Sequence, residues 1–187
     1  MNSLKEYFES EAQLFAHIPF DRVEAVIAKL ERAREEGRRI FVFGNGGSAA
    51  MASHFACDLG KGTIQPDRPR FKVIALNDNL PMLTAYANDL GYDSVFAEPL
   101  ISLAERGDLA IGFSGSGNSP NVLRAMEAAE KRGVATIGFS GFSGGKLKDR
   151  VELLVSVPSD VMPHIEDVHL ALTHAICTRL KIQHEPH

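Results

Sequence analysis

Apolar residues recur along the chain with two distinct spacings. In residues 21–36, Val23, Val26, Ile27, Leu30 and Ala33 fall at i, i+3, i+4 and i+7 steps, the buried stripe of an amphipathic helix. Asp21 is the expected N-cap and Gly37 the expected stop. A helix is expected over 3–16 as well. Short apolar runs follow at 40–43, 72–76, 109–113, 136–139 and 151–157, each ending at Gly, Ser, Asn or Pro. Runs of this length bounded by such residues read as buried parallel strands. Helical patterns lie between them at 48–59, 81–89, 95–106, 120–132 and 144–149, and a final amphipathic helix is expected over 164–182. Strands alternating with helices predict an α/β fold: a doubly wound, parallel, five-stranded sheet flanked by helices in a flavodoxin-like three-layer sandwich. One domain is expected over 1–187, with an N-terminal helical segment at 1–36, an α/β core at 38–182 and a tail at 183–187.

Composition narrows the function class. The chain has 187 residues, 44% of them hydrophobic and 24% charged, enough apolar material for a core. Twenty Lys and Arg against 24 Asp and Glu leave a net charge of −4, which argues against nucleic acid as a partner, since that binding rests on a basic surface. Cys57 and Cys177 form no C-x-x-C pair, so neither a zinc ribbon nor a disulfide scaffold is expected. The N-terminal stretch is studded with charges and lacks an apolar signal segment. No run reaches the roughly 18 apolar residues of a membrane span. A cytoplasmic location is expected.

Ligands of open α/β sheets bind at the carboxyl ends of the strands, and two glycine-rich loops stand there. The first, Gly44-Asn45-Gly46-Gly47-Ser48-Ala49, fits G-x-G-x-x-A between a strand and a helix, a pattern compatible with a tight turn or a dinucleotide site. The second, Ser114-Gly115-Ser116-Gly117-Asn118-Ser119, offers three hydroxyls and two glycines. Exposed N–H groups and the positive end of the following helix suit it to one phosphate. A dinucleotide site needs an acid about 20 residues after its loop. Asp78 stands about 30 residues on, and a serine-rich second loop has no use in such a site. A phosphomonoester without a nucleotide cofactor is the expected ligand.

The segments GNGGSAAMASHFACDL, NDLGYD, SGSGNSPNV and IEDVHLALTH occur in an order and at spacings that resemble the sugar isomerase (SIS) family, most nearly its phosphoheptose isomerase branch. The likeness runs from the first helix to about Leu180. It implies a ketose–aldose isomerase acting on a sugar phosphate, sedoheptulose 7-phosphate becoming D-glycero-D-manno-heptose 7-phosphate, and a homotetramer with active sites at subunit interfaces. It also implies substrate contacts from Asn45, Gly46, Gly47, Ser48, Asn88, Asp89 and Glu166, with Ser114, Gly115, Ser116 and Ser119 holding the phosphate. The family commonly carries Thr where Gly115 stands, so one hydroxyl of the cradle is missing.

The family's metal and catalytic set maps onto His54, Asp58, Glu166 and His174, a set suited to Zn²⁺ or another divalent ion, one per subunit. Two positions depart from the family pattern: Asp58 replaces Glu, with one methylene less of reach, and Glu166 replaces Gln, adding a charge. His54 and Asp58 are spaced i, i+4 and share a helix face. Glu166 and His174 are eight residues apart, roughly 12 Å of rise on a straight helix. Either Glu166 precedes the helix proper or the ligands come from different subunits, and the second is expected. His169 is an alternative to His174. Asp58 or Glu166 is the expected carbon base, and His174 the group that shuttles the oxygen proton. The competing reading is a non-catalytic SIS module that senses a phosphosugar or binds a partner, as in DnaA-binding regulators of similar sequence, or an isomerase for another sugar phosphate. His17, His184 and His187 read as surface or terminal, and Phe15 and Phe20 as core or interface.

Overall fold

The computed structural model describes residues 3–182, so the expected tail at 183–187, with His184 and His187, lies outside the described residues. Five strands, β1 (Arg39–Gly44), β2 (Lys72–Ala75), β3 (Leu109–Ser114), β4 (Ala135–Ser140) and β5 (Leu153–Ser156), form one sheet in the order β2-β1-β3-β4-β5. Every neighbouring pair is parallel. Among the described residues seven α-helices accompany them: α1 (Leu4–Phe15), α2 (Phe20–Glu35), α3 (Gly47–Cys57), α4 (Leu80–Leu90), α5 (Ala97–Leu103), α6 (Pro120–Lys131) and α7 (Met162–Ile182). This is the expected doubly wound sheet.

Side chains alternate across each strand, and the two faces bury separate cores. Ile40 and Val42 of β1, with Leu109, Ile111 and Phe113 of β3, pack beneath α2, α3 and α7. Phe41 and Phe43 point the other way, toward α5 and α6. These four β1 side chains, Ile40 to Phe43, are fully buried, each contributing roughly 1.5–3 kcal/mol by leaving water. The period of two on the strands thus fixes which helices cover which face.

Several boundaries depart from the sequence reading. Asp21 is not the N-cap of α2: Pro19 holds that position without a side-chain bond, and Asp21 sits in the first turn, where a negative charge favours the helix dipole. The helix expected over 48–59 ends at Cys57 and passes into a π-turn at Asp58–Gly62. The helix expected over 95–106 is shorter, preceded by a 3₁₀ turn at Tyr92–Ser94, and the expected helix at 144–149 is a 3₁₀ turn at Gly145–Asp149. Phe15 and Phe20 are exposed rather than part of the core of one chain, at 38% and 63% of their surface. Helix α7 begins at Met162, so Glu166 lies within it and not before it.

Candidate functional site

The chain leaves β1 toward β2 on one side and is flanked by β3 on the other, so the switch point of the sheet lies between β1 and β3. Both glycine-rich loops start there. Asn77 extends the end of β1: its Nδ2 donates to Gly44 O at 2.7 Å, and Gly44 N–H donates to its Oδ1 at 3.3 Å. The first loop then enters α3 at Gly47. The Glu166 carboxylate packs onto Gly47 so closely that a β-carbon there would lie 2.5–2.7 Å from its atoms. The positive end of α3 is therefore met by the protein's own anion, an arrangement the dipole favours.

The second loop has no such occupant. Helix α6 carries no acid in its first turn, and its N-cap Ser119 makes no capping bond. Instead Ser114 Oγ donates to Ser119 Oγ at 3.0 Å, closing the loop on itself. The loop is braced from behind by the turn at 144–147: Lys146 N–H donates to Asn118 Oδ1 at 3.1 Å, and Leu147 N–H to Gly117 O at 2.9 Å. Gly117 has φ +65°, and any side chain there would strike Gly144 O. Of the two helix ends, α6 is the one electrostatically open to a phosphate.

The imidazoles of His54 and His174 meet beside the first loop. Their Nε2 atoms are 2.9 Å apart, and Asp58 Oδ2 lies 3.2 Å from one and 3.7 Å from the other. Both rings are about half exposed. Two imidazole nitrogens and a carboxylate oxygen, all within 4.8 Å of one another, are a donor set that fits a divalent ion with coordination positions left over. Beneath them, burial and the charge of Asp58 push the Cys177 thiol up to about 12, so it stays a neutral packing group. A depression of about 230 Å³ runs from His54 along Gly47 and Met51 to Glu166, Asp167 and Leu170. A second cavity of about 260 Å³ opens at the opposite end of the strands, where Lys29 is paired to Glu152; none of the predicted site residues lines it.

The sequence matches the SIS domain over residues 6–141. The chain belongs to the SIS domain family. It is 38% identical over 176 residues to a probable phosphoheptose isomerase of Thermoplasma acidophilum, covering 94% of this chain and 96% of that protein. It is 41% identical over 155 residues to a phosphoheptose isomerase of Thermodesulfovibrio yellowstonii, covering 83% and 77%. The solved structure of a phosphoheptose isomerase from Francisella tularensis superposes with a TM-score of 0.89 at 28% identity, covering 95% and 96%.

Within this SIS fold the predicted residues divide into groups. His54, Asp58 and His174 converge in one chain without help from a second copy. Glu166, expected as a fourth ligand, is outside that trio: it stands two turns of α7 away from His174 and packs on Gly47 instead. His169 is not a ligand: it is fully buried between Phe113 and Phe139, with Nε2 3.0 Å from Ser140 O. Asn88 and Asp89 lie exposed in the last turn of α4, where Asn88 Nδ2 donates to Asp89 Oδ1 at 2.7 Å. Tyr92, three residues on, reaches the first loop instead, its hydroxyl donating to Asn45 Oδ1 at 3.0 Å. Tyr92, Asn121 and Met162 were not singled out from sequence. Asn121 does stand within the SGSGNSPNV motif, but its role depends on a partner 76 residues away.

Proposed function

We propose that this chain is an aldose–ketose phosphosugar isomerase that converts sedoheptulose 7-phosphate to D-glycero-D-manno-heptose 7-phosphate. One observation carries the reading: two loops at one switch point with opposite electrostatics, the α6 end open to an anion and the α3 end already carrying Glu166. The phosphate goes to Ser114, Ser116 and Ser119 and the backbone of Gly115. The reacting end of the sugar then lies toward Asn45, Gly46, Gly47, Ser48 and Glu166, with His54, Asp58 and His174 beyond. Binding energy at the distant phosphate orients the carbons that react.

Isomerisation moves a proton between C1 and C2 through a cis-enediol. Asp58 is committed to the two imidazoles, which leaves Glu166 as the carboxylate that takes and returns the carbon proton. His174 exchanges the proton between the two oxygens. His54, Asp58 and His174 are the residues that would hold a divalent ion, zinc foremost, and such an ion would supply a Lewis acid for the carbonyl oxygen. A homotetramer with shared sites is part of the proposal. Helices α1 and α4 bury no residue within the chain yet carry Leu4, Phe8, Leu80 and Leu90 on their surfaces, and Asn88 and Asp89 lie on one of them. Two free cysteines are in keeping with a reducing cytoplasmic setting.

Turnover of sedoheptulose 7-phosphate by the Asp58→Asn, His174→Gln and Glu166→Gln variants tests the assignment. Each is expected to lose at least about a hundredfold in kcat. Wild-type rates in the first two would overturn the site, and a fully active Glu166→Gln would move the carbon base to Asp58. Light scattering of the active protein tests the assembly, since an active monomer excludes shared sites.

A further inference from the structure

Asn45 and Asn121 face each other across the two loops. Asn45 Nδ2 donates to Asn121 Oδ1 and Asn121 Nδ2 donates to Asn45 Oδ1, both at 2.8 Å. Asn121 is 1% exposed, so neither of its bonds is exchanged with water. A backbone group sets the orientation of the whole pair. Val122 N–H, which can only donate, gives its hydrogen to Asn121 Oδ1 at 3.0 Å, and this identifies the oxygen end of the Asn121 amide. The reciprocal pairing then places the oxygen end of Asn45 opposite Asn121 Nδ2. The Tyr92 hydroxyl donates to that same Asn45 oxygen at 3.0 Å.

An amide oxygen accepts two hydrogen bonds and an amide nitrogen donates two. Asn45 Oδ1 has both acceptor sites filled, by Asn121 and Tyr92. Asn45 Nδ2 has spent one hydrogen on Asn121 and keeps one. From this count we infer that Asn121 and Tyr92 are positioning residues that make Asn45 a donor-only contact, a single N–H offered to an oxygen of the bound sugar phosphate. The inference rests on the proposed isomerase reading and deepens it. An amide locked as a donor stabilises negative charge on a substrate oxygen, and it does so without reorienting during the reaction. Because Asn121 belongs to the helix behind the phosphate loop, the same pair ties the sugar end of the site to the phosphate end.

The test is a set of variants assayed for turnover of sedoheptulose 7-phosphate, for its binding by calorimetry, and for competitive inhibition by inorganic phosphate. Asn121→Ala is expected to lose about tenfold in kcat/KM, with phosphate inhibition unchanged because the second loop is intact. Tyr92→Phe is expected to lose about threefold without a shift in melting temperature. Asn45→Asp, which has oxygens and no N–H, should fall as far as Asn45→Ala. The Asn45→Ala/Asn121→Ala double variant should be no worse than Asn45→Ala alone, since Asn121 acts only through Asn45.

Additive losses in the double variant, an active Asn45→Asp, or phosphate inhibition that weakens in parallel with turnover would overturn the inference. If Asn121→Ala does not fold, Tyr92→Phe and Asn45→Asp decide it. A wild-type protein that binds the ketose phosphate without converting it overturns the isomerase reading alone, and the calorimetric affinities of the same variants still test the donor assignment.

Discussion

The Glu166 carboxylate rests on the α-carbon of Gly47, with Oε2 2.5 Å and Oε1 2.7 Å from where a β-carbon would be. The glycine is needed here for room, since its backbone lies in the ordinary helical region. Its absent side chain lets an acid from α7 sit at the first turn of α3, and that contact aims the carboxylate into the depression shared with His54.

Gly47→Ala should therefore displace Glu166 while leaving the sheet untouched. We expect a loss of about 1–3 kcal/mol in stability from the added methyl, and at least a tenfold fall in kcat/KM through the misplaced carboxylate. Chemical denaturation and steady-state kinetics on the same preparation measure both.

Metal content should follow the imidazole pair. The purified protein is expected to hold roughly one divalent ion per chain, and His54→Ala or His174→Ala should weaken binding at least about a hundredfold. Elemental analysis after dialysis against a chelator reads this directly. Cys177→Ala, which removes a neutral thiol below the site, should retain the ion.

The pH dependence of stability should carry the signature of His169. Burial holds its imidazole neutral down to about 4, offset only in part by the bond to Ser140 O, whereas in the unfolded chain it titrates near 6.5. Between these values the unfolded state binds the extra proton. The stability contributed by a neutral His169 is complete above about pH 6.5 and falls as pH drops toward 4, by about 1.4 kcal/mol per unit at most. Subtracting the pH–stability curve of His169→Phe from that of the wild type isolates this slope from the carboxylates.

Gly115 and Met162 should behave as a matched pair. The Met162 thioether occupies the space a side chain at 115 would need, so Gly115→Thr alone must push it aside. We expect Gly115→Thr to raise KM for the sugar phosphate about threefold to tenfold. Adding Met162→Ala should bring KM to or below the wild-type value, with the threonine hydroxyl joining the cradle. Two KM measurements distinguish this from independent effects.

The sheet and its strand ends were legible in sequence because a buried strand must be apolar on both faces, and runs such as Ile40–Phe43 leave little choice. The i, i+4 spacing of His54 and Asp58 was legible for a similar reason, since helix geometry alone puts them together. The meeting of His54 with His174 came from the family resemblance and from no spacing, because it depends on how α3 and α7 pack 120 residues apart. The spacing along α7 showed that Glu166 and His174 are far apart on one helix, but it suggested ligands from two subunits rather than Glu166 standing outside the trio. What no local pattern carried was the Asn45–Asn121 pair, since an asparagine in a polar loop looks the same whether its amide faces solvent or a buried partner. The π-turn after Cys57 was hidden too: Gly60 and Gly62 within it signal a weakening helix, but tertiary contacts decide the extra residue per turn.

The position of α7 also bears on how the molecule is made. His54 and Asp58 leave the ribosome together and are neighbours at once, but Glu166 and His174 follow more than a hundred residues later on α7. A chain growing at roughly 5–20 residues per second spends several seconds with its loops and two of the three groups of the proposed ligand set in place and no completed reaction centre. The docking of α7 is thus the step that joins His174 to His54 and Asp58 and seats Glu166 on Gly47 within one chain.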